Sequence, residues 1–126
     1  MSMKYNRQLP GPGELKEEYP LTPALAQLKA RRDEEIREVF AGNSQKFLVV
    51  VGPCSADRED AVLEYVSRLA KLQEQVQDKL LLIPRVYTNK PRTTGAGYKG
   101  MLHQPSPDKA PDLLGGIIAI RRLHIR

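Results

Sequence analysis

The chain has 126 residues, 40% of them hydrophobic and 28% charged, with a formal net charge of +5, a composition ordinary for one globular domain. No apolar run approaches the ~20 residues of a membrane-spanning helix, Met1 to Gln8 lacks the apolar core of a secretory leader, and the single cysteine, Cys54, excludes an intrachain disulfide. These features lead us to expect a cytoplasmic protein with no membrane partner.

Residues 1–20 are rich in Pro and Gly and are expected to form an extended arm. Thr22-Pro23 is a helix start, a capping hydroxyl followed by a proline that fits the first turn. Leu25, Leu28, Ile36, Val39 and Phe40 recur at helical spacing, and Gly42 is the stop. Phe47-Leu48-Val49-Val50-Val51 is a continuous apolar run ending at Gly52-Pro53, the pattern of a strand buried on both faces of a parallel sheet. Asp57 is placed to cap the next helix, whose apolar stripe is Val62, Tyr65, Val66, Leu69, Leu72 and Val76. A second strand follows at Leu80-Leu81-Leu82-Ile83 and continues into Pro84-Arg85-Val86-Tyr87. Residues 88–111 form a long polar loop, and Asp112 caps a last helix, with Leu113, Leu114, Ile117, Ile118 and Ile120 on its apolar side, that still runs at Arg126. The fold class is therefore α/β, with residues 1–45 an N-terminal extension carrying one helix and residues 46–126 an incomplete βαβα segment. Two apolar strands need more cover than this chain supplies, which suggests a piece of a larger sheet.

Functional groups in parallel α/β folds gather where strands end. Topology brings Cys54 and Ser55, after the first strand, to the same rim as Arg85, Lys90 and Arg92 around the second. The charge is unevenly placed in the same sense. Residues 1–83 hold 12 Lys/Arg against 13 Asp/Glu, a net of −1, whereas residues 84–126 hold 8 against 2, a net of +6. Arg85, Lys90, Arg92 and Lys99 fall within 15 residues, beside Thr88, Thr93 and Thr94. Guanidinium forks match phosphate and carboxylate oxygens, and glycines let backbone N–H groups approach an anion. A small, highly charged anion and a merely solvated basic loop both fit this pattern. Nucleic acid does not, because the loop lacks interleaved aromatics for base stacking. Cys54 on these grounds is a packed thiol, a nucleophile or a metal ligand. His103 and His124 show no catalytic spacing to it.

Gly52-Pro53-Cys54-Ser55, Arg85-Val86-Tyr87, Lys90-Pro91-Arg92-Thr93-Thr94 and Gly97-Tyr98-Lys99-Gly100, in this order and spacing, resemble the class I 3-deoxy-D-arabino-heptulosonate 7-phosphate synthases. That resemblance runs from about Leu15 to the end of the chain. It implies the N-terminal part of a (β/α)8 TIM barrel: the first two βα units plus the extension, in an enzyme that is a homo-oligomer at full length. It implies a transferase that condenses phosphoenolpyruvate with erythrose 4-phosphate in the first step of the shikimate pathway toward aromatic amino acids. It implies Cys54 as a ligand of a divalent metal (Mn, Fe, Co or similar), with the other ligands on later strands. Arg85 and Lys90 are implied as the catalytic pair that holds phosphoenolpyruvate. Arg92, Thr93 and Pro91, with Thr94, are implied as contacts for the second substrate. With the later strands missing, this chain alone is expected to be inactive. The alternative is a non-catalytic anion-binding or assembly module derived from the same fold.

Overall fold

The computed structural model describes residues 7–126. In chain order these form α1 (Pro12–Glu18), α2 (Pro23–Phe40), β1 (Phe47–Val51), α3 (Glu59–Val76), β2 (Leu80–Pro84) and α4 (Leu113–His124). The expected arm is helical over Pro12–Glu18, and the first six residues lie outside the described ones. A proline in the first turn loses no hydrogen bond, because that N–H has no helical partner. The Glu14 carboxylate accepts from the Gly11 N–H at 2.7 Å, which closes the turn. The extension thus carries two helices instead of one.

Thr22 caps α2 as its position suggests, its Oγ1 accepting from the Leu25 N–H at 3.3 Å. Gly42 ends the helix at φ 77°, a left-handed conformation open to glycine without steric cost. The expected apolar stripe is only half covered: α2 has no buried residue, and Phe40 is 80% exposed.

β1 and β2 pair in parallel with register Phe47↔Leu80 to Val51↔Pro84. Beyond the ladder, the Arg85 N–H donates to the Val51 oxygen at 2.9 Å. The strands are not buried on both faces. Phe47 is 74% and Val50 63% exposed, against 2% for Leu81, because α3 covers β2 far more fully than any element covers β1.

Lys79 and Arg85 direct their backbone groups at β1, so Leu80 and Leu82, on alternate residues, direct theirs outward. The outward groups are met by Gln73 of α3. Its Nε2 donates to the Leu80 oxygen at 2.9 Å, and its Oε1 accepts from the Leu82 N–H at 2.7 Å. One buried carboxamide stands in for a neighbouring strand. Pro84 has no N–H to offer there, so within these residues Gln73 takes the donor and acceptor that a further strand of a larger sheet would use.

α3 begins at Glu59, not behind an Asp57 cap. Arg58 holds the N-cap position without a side-chain cap, and its guanidinium pairs with Asp60 (Nη2 to Oδ2, 2.7 Å). That pair holds the Asp60 carboxyl below its usual range. Asp112 does cap α4, accepting from the Gly115 N–H at 3.0 Å. The helix ends at His124, whose Nδ1–H donates to the Ile120 oxygen at 2.8 Å. Arg121 anchors α4 to the segment after α1 through two bonds to the Tyr19 oxygen, at 3.0 and 2.7 Å.

The core is small. Ala56, Val62, Met101 and Leu123 form its buried cluster, edged by Leu63, Val66, Val86, Ala119 and Ile120. Met101 comes from the long loop and is fully buried. The loop is therefore fastened to the body at its far end, which fixes where its cations can sit.

Candidate functional site

The two strands end side by side, and the chain leaves both at one rim. Gly52 permits this, since a Cβ there would overlap the Arg85 carbonyl oxygen. The Ala56 N–H donates to the Tyr87 oxygen at 2.9 Å, locking the two exit segments together. Gly100 does the same for the loop: at φ 101° it packs so closely that a Cβ would meet the Thr88 carbonyl. The Lys90 N–H donates to the Lys99 oxygen at 2.8 Å, closing a loop that carries Pro91 to Tyr98.

On this frame Lys90 Nζ lies 3.0 Å from Cys54 Sγ. Cys54 is exposed, and its thiol titrates below the usual range. The first cause is its bond to Lys90, next the Lys90 charge, with smaller help from Arg85 and Arg92 against some desolvation. The cations around the thiol make it a thiolate donor more readily than an ordinary cysteine. Arg85 donates from Nη1 to the Pro53 oxygen at 2.9 Å and stacks on the Tyr87 ring, 4.2 Å from its centroid. Its other N–H groups have no hydrogen-bond partner among the described residues. Arg92 donates from Nε to the Tyr98 oxygen at 3.0 Å, which likewise leaves both terminal nitrogens free of partners among the described residues.

The structure thus assembles Cys54, Arg85, Lys90 and Arg92 at one mouth. Pro91, Thr93 and Thr94 lie on the exposed tip of the loop. Ser55 departs from its expected place: its Oγ is buried, in a cleft shared with Tyr65 and Arg68 of α3. His103 serves the loop itself, its Nε2 bonding Asn89 Oδ1 at 3.2 Å. Two residues matter to which the sequence reading gave no role. Gln73 sits on the apolar stripe of α3, four residues after Leu69 and three before Val76, and a polar residue at that place was the available signal. Tyr98 is the half-buried residue in a run from Pro91 to Lys99 that is otherwise exposed.

No group of three or more His, Cys, Asp or Glu lies together among the described residues. Cys54 offers one thiolate, and these residues do not fit a catalytic metal by themselves, which takes three protein ligands. No helix among them is long and apolar enough to cross a membrane.

Parallel strands whose shared exits carry a thiol, with Lys90 3.0 Å from it and Arg85 and Arg92 near enough to lower it, put these side chains where α/β enzymes gather their functional groups, at the carboxyl ends of the strands. The chain belongs to the DAHP synthetase I family, whose model matches residues 21–110. It is 36% identical over 118 residues to the phospho-2-dehydro-3-deoxyheptonate aldolase of Corynebacterium glutamicum, covering 94% of this chain and 32% of that protein. It is 36% identical over 123 residues to the Phe-sensitive phospho-2-dehydro-3-deoxyheptonate aldolase of Escherichia coli K12, covering 98% and 35%. In three dimensions it is similar to the phospho-2-dehydro-3-deoxyheptonate aldolase of Francisella tularensis SCHU S4. The TM-score is 0.87 at 30% identity, over 97% of this chain and 36% of that one. The chain spans about a third of the length of the relatives it matches.

Proposed function

We propose that these residues are the first two βα units, with their N-terminal extension, of a (β/α)8 barrel that condenses phosphoenolpyruvate with erythrose 4-phosphate. The reading includes the homo-oligomer that the resemblance implies at full length and the cytoplasmic location that the composition suggests. One observation carries it: Lys90 rests on Cys54 at 3.0 Å at the joint exit of the two strands, with Arg85 and Arg92 close enough to lower the same thiol.

In this reading Arg85 and Lys90 grip the phosphate and carboxylate of phosphoenolpyruvate. Arg85 is suited to the task because Pro53 and Tyr87 already fix its orientation, so little side-chain entropy is lost on binding. Arg92, Thr93, Thr94 and Pro91 form the side of the mouth that meets the phosphate of erythrose 4-phosphate. Two anionic substrates repel each other, and the cations offset that repulsion while aligning the methylene carbon of phosphoenolpyruvate with the aldehyde carbon. A carbon–carbon bond forms between them, the aldehyde oxygen takes a proton, water adds at the adjacent phosphate-bearing carbon and gives up a proton, and the bond from that carbon to the phosphate oxygen breaks to release inorganic phosphate. Cys54 contributes one thiolate to a divalent metal completed by donors outside these residues.

The test is calorimetric titration of phosphoenolpyruvate into the 126-residue chain, beside an assay for heptulosonate phosphate. Binding weakened at least tenfold by Arg85→Ala is expected, about the 1.5–3 kcal/mol of a hydrogen bond to a charged group. No turnover above background is expected from these residues alone. Binding indifferent to Arg85 would overturn the assignment of the site, and turnover would overturn its incompleteness. Phosphoenolpyruvate binding that stayed inert after the missing units were supplied would favour the anion-binding module instead.

A further inference from the structure

The loop that carries Lys90 and Arg92 is exposed from Pro91 to Gly97 and contains two glycines at positive φ, Gly95 and Gly97. Left to itself, such a segment has many conformations, and ordering it on each binding event costs affinity. One side chain within it turns inward. The Tyr98 hydroxyl donates to the Gln104 oxygen at 3.1 Å, with the Ala56 oxygen 3.5 Å away on its other side. Ala56 is fully buried and stands two residues beyond Cys54, while Gln104 stands three beyond the buried Met101. The hydroxyl therefore reaches the two best-anchored points near the mouth. The main-chain oxygen of the same residue accepts from Arg92 Nε at 3.0 Å, and a Cβ at Gly97 would come within 3.9 Å of that guanidinium, so the loop backbone runs alongside it. Side chain and backbone of one residue thus connect the buried frame to the guanidinium that faces the mouth.

We propose that Tyr98 is a positioning residue for the anion site: its hydroxyl pins the loop to Gln104 and the Ala56 segment, and its carbonyl thereby fixes where Arg92 points. It touches neither substrate and acts through Arg92. The inference rests on the anion-site reading above and deepens it.

Tyr98→Phe removes the hydroxyl and keeps the ring. Two measurements on the 126-residue chain decide the matter. The first is inorganic phosphate affinity by calorimetry, for wild type, Tyr98→Phe, Arg92→Ala and the double variant. We expect Tyr98→Phe to weaken phosphate about three- to tenfold, the range of one net hydrogen bond, and to add nothing once Arg92 is gone. The second is exchange of the Arg92 Nε–H by NMR without any anion, expected to be several-fold faster in Tyr98→Phe. Leu81→Ala, which opens the α3 side of β2 outside the cluster that holds Ala56 and Met101, controls for general loosening and is expected to leave both readouts as in wild type. If Tyr98→Phe leaves the Arg92 Nε–H as slow as in wild type, the proposal is wrong. Equal effects from Leu81→Ala, or additivity with Arg92→Ala, overturn it as well. If wild type ignores phosphate altogether, the anion-site reading fails, while the Nε–H exchange still decides the role of Tyr98.

Discussion

The α3 side of the strand pair and the rim beyond the strand ends follow opposite rules. On the α3 side polar groups are paired within the fold: Gln73 takes the Leu80 oxygen and the Leu82 N–H, and Leu81 beside them is buried. At the rim the polar groups are held but not consumed. Arg85 and Arg92 each spend one N–H on a carbonyl and keep the rest of their donors available. A surface that satisfies its donors internally gives stability, whereas one that orients them and stops short gives binding. The comparison teaches that the few well-packed residues of this chain serve mainly to hold four charged or polarisable side chains in register.

Substitutions should sort accordingly, the packed side changing stability with little effect on anion binding and the rim doing the reverse. The largest effect is expected at Gly52, where the two rules meet. Gly52→Val forces a side chain into the Arg85 carbonyl, and neither backbone can yield without parting the strand exits. A loss above about 3 kcal/mol is expected, enough to abolish cooperative urea unfolding followed by far-UV circular dichroism in a chain with so small a core. A variant that kept a wild-type transition would show that the exits are not in contact.

Next is Met101→Ala. The side chain is the largest fully buried one, and truncation should cost about 2–5 kcal/mol. Because Met101 also moors the loop, phosphate affinity measured under conditions where the variant is folded should fall modestly as well. Gln73→Leu should cost about 1–3 kcal/mol by leaving the Leu80 oxygen and the Leu82 N–H unpaired. It should leave phosphate affinity unchanged, and it should promote self-association at high concentration, since the unpaired edge becomes available to another strand. Sedimentation velocity checks the second effect. If Gln73→Leu instead matches wild type in both respects, the outer edge of β2 needs no cover and the comparison drawn above is blunted.

Much of this was legible in the residues, and the reasons are local. Phe47–Val51 is a strand with the expected limits because a β-branched run ending at Gly-Pro leaves few options. Thr22 and Asp112 announce their caps by side-chain chemistry alone. The gathering of Cys54, Arg85, Lys90 and Arg92 follows from parallel topology once two βα units are recognised. What escaped depends on tertiary context. α1 forms where Pro and Gly suggested an arm, because proline in a first turn is compatible with both. Leu72 was assigned to the buried stripe, yet it is 45% exposed while Gln73 is 8% exposed. A rotation of one residue around α3 is decided by hydrogen bonds that only the outer edge of β2 can supply. Ser55 was grouped with the rim, yet its Oγ is buried on the side of α3, a placement that only the packing of that helix decides.

The smallest effect tests the rim most directly. Lys90→Met removes the ammonium from Cys54 while keeping the length of the side chain. The thiol is lowered first by its bond to Lys90 and then by that charge. The pH profile of alkylation by iodoacetamide should therefore shift to higher pH in the variant, with unfolding free energy nearly unchanged because the pair is exposed. The sign for stability follows from the same shift. A thiol lowered on folding favours the folded state above its unfolded pKa, and that contribution fades as pH falls through the folded value. Lys90→Met should accordingly flatten whatever rise in stability the wild type shows on the alkaline side. A profile that stays in place would mean that Lys90 and Cys54 do not share the mouth in solution. The rim would then be a set of separate charges, with no common site for an anion to enter.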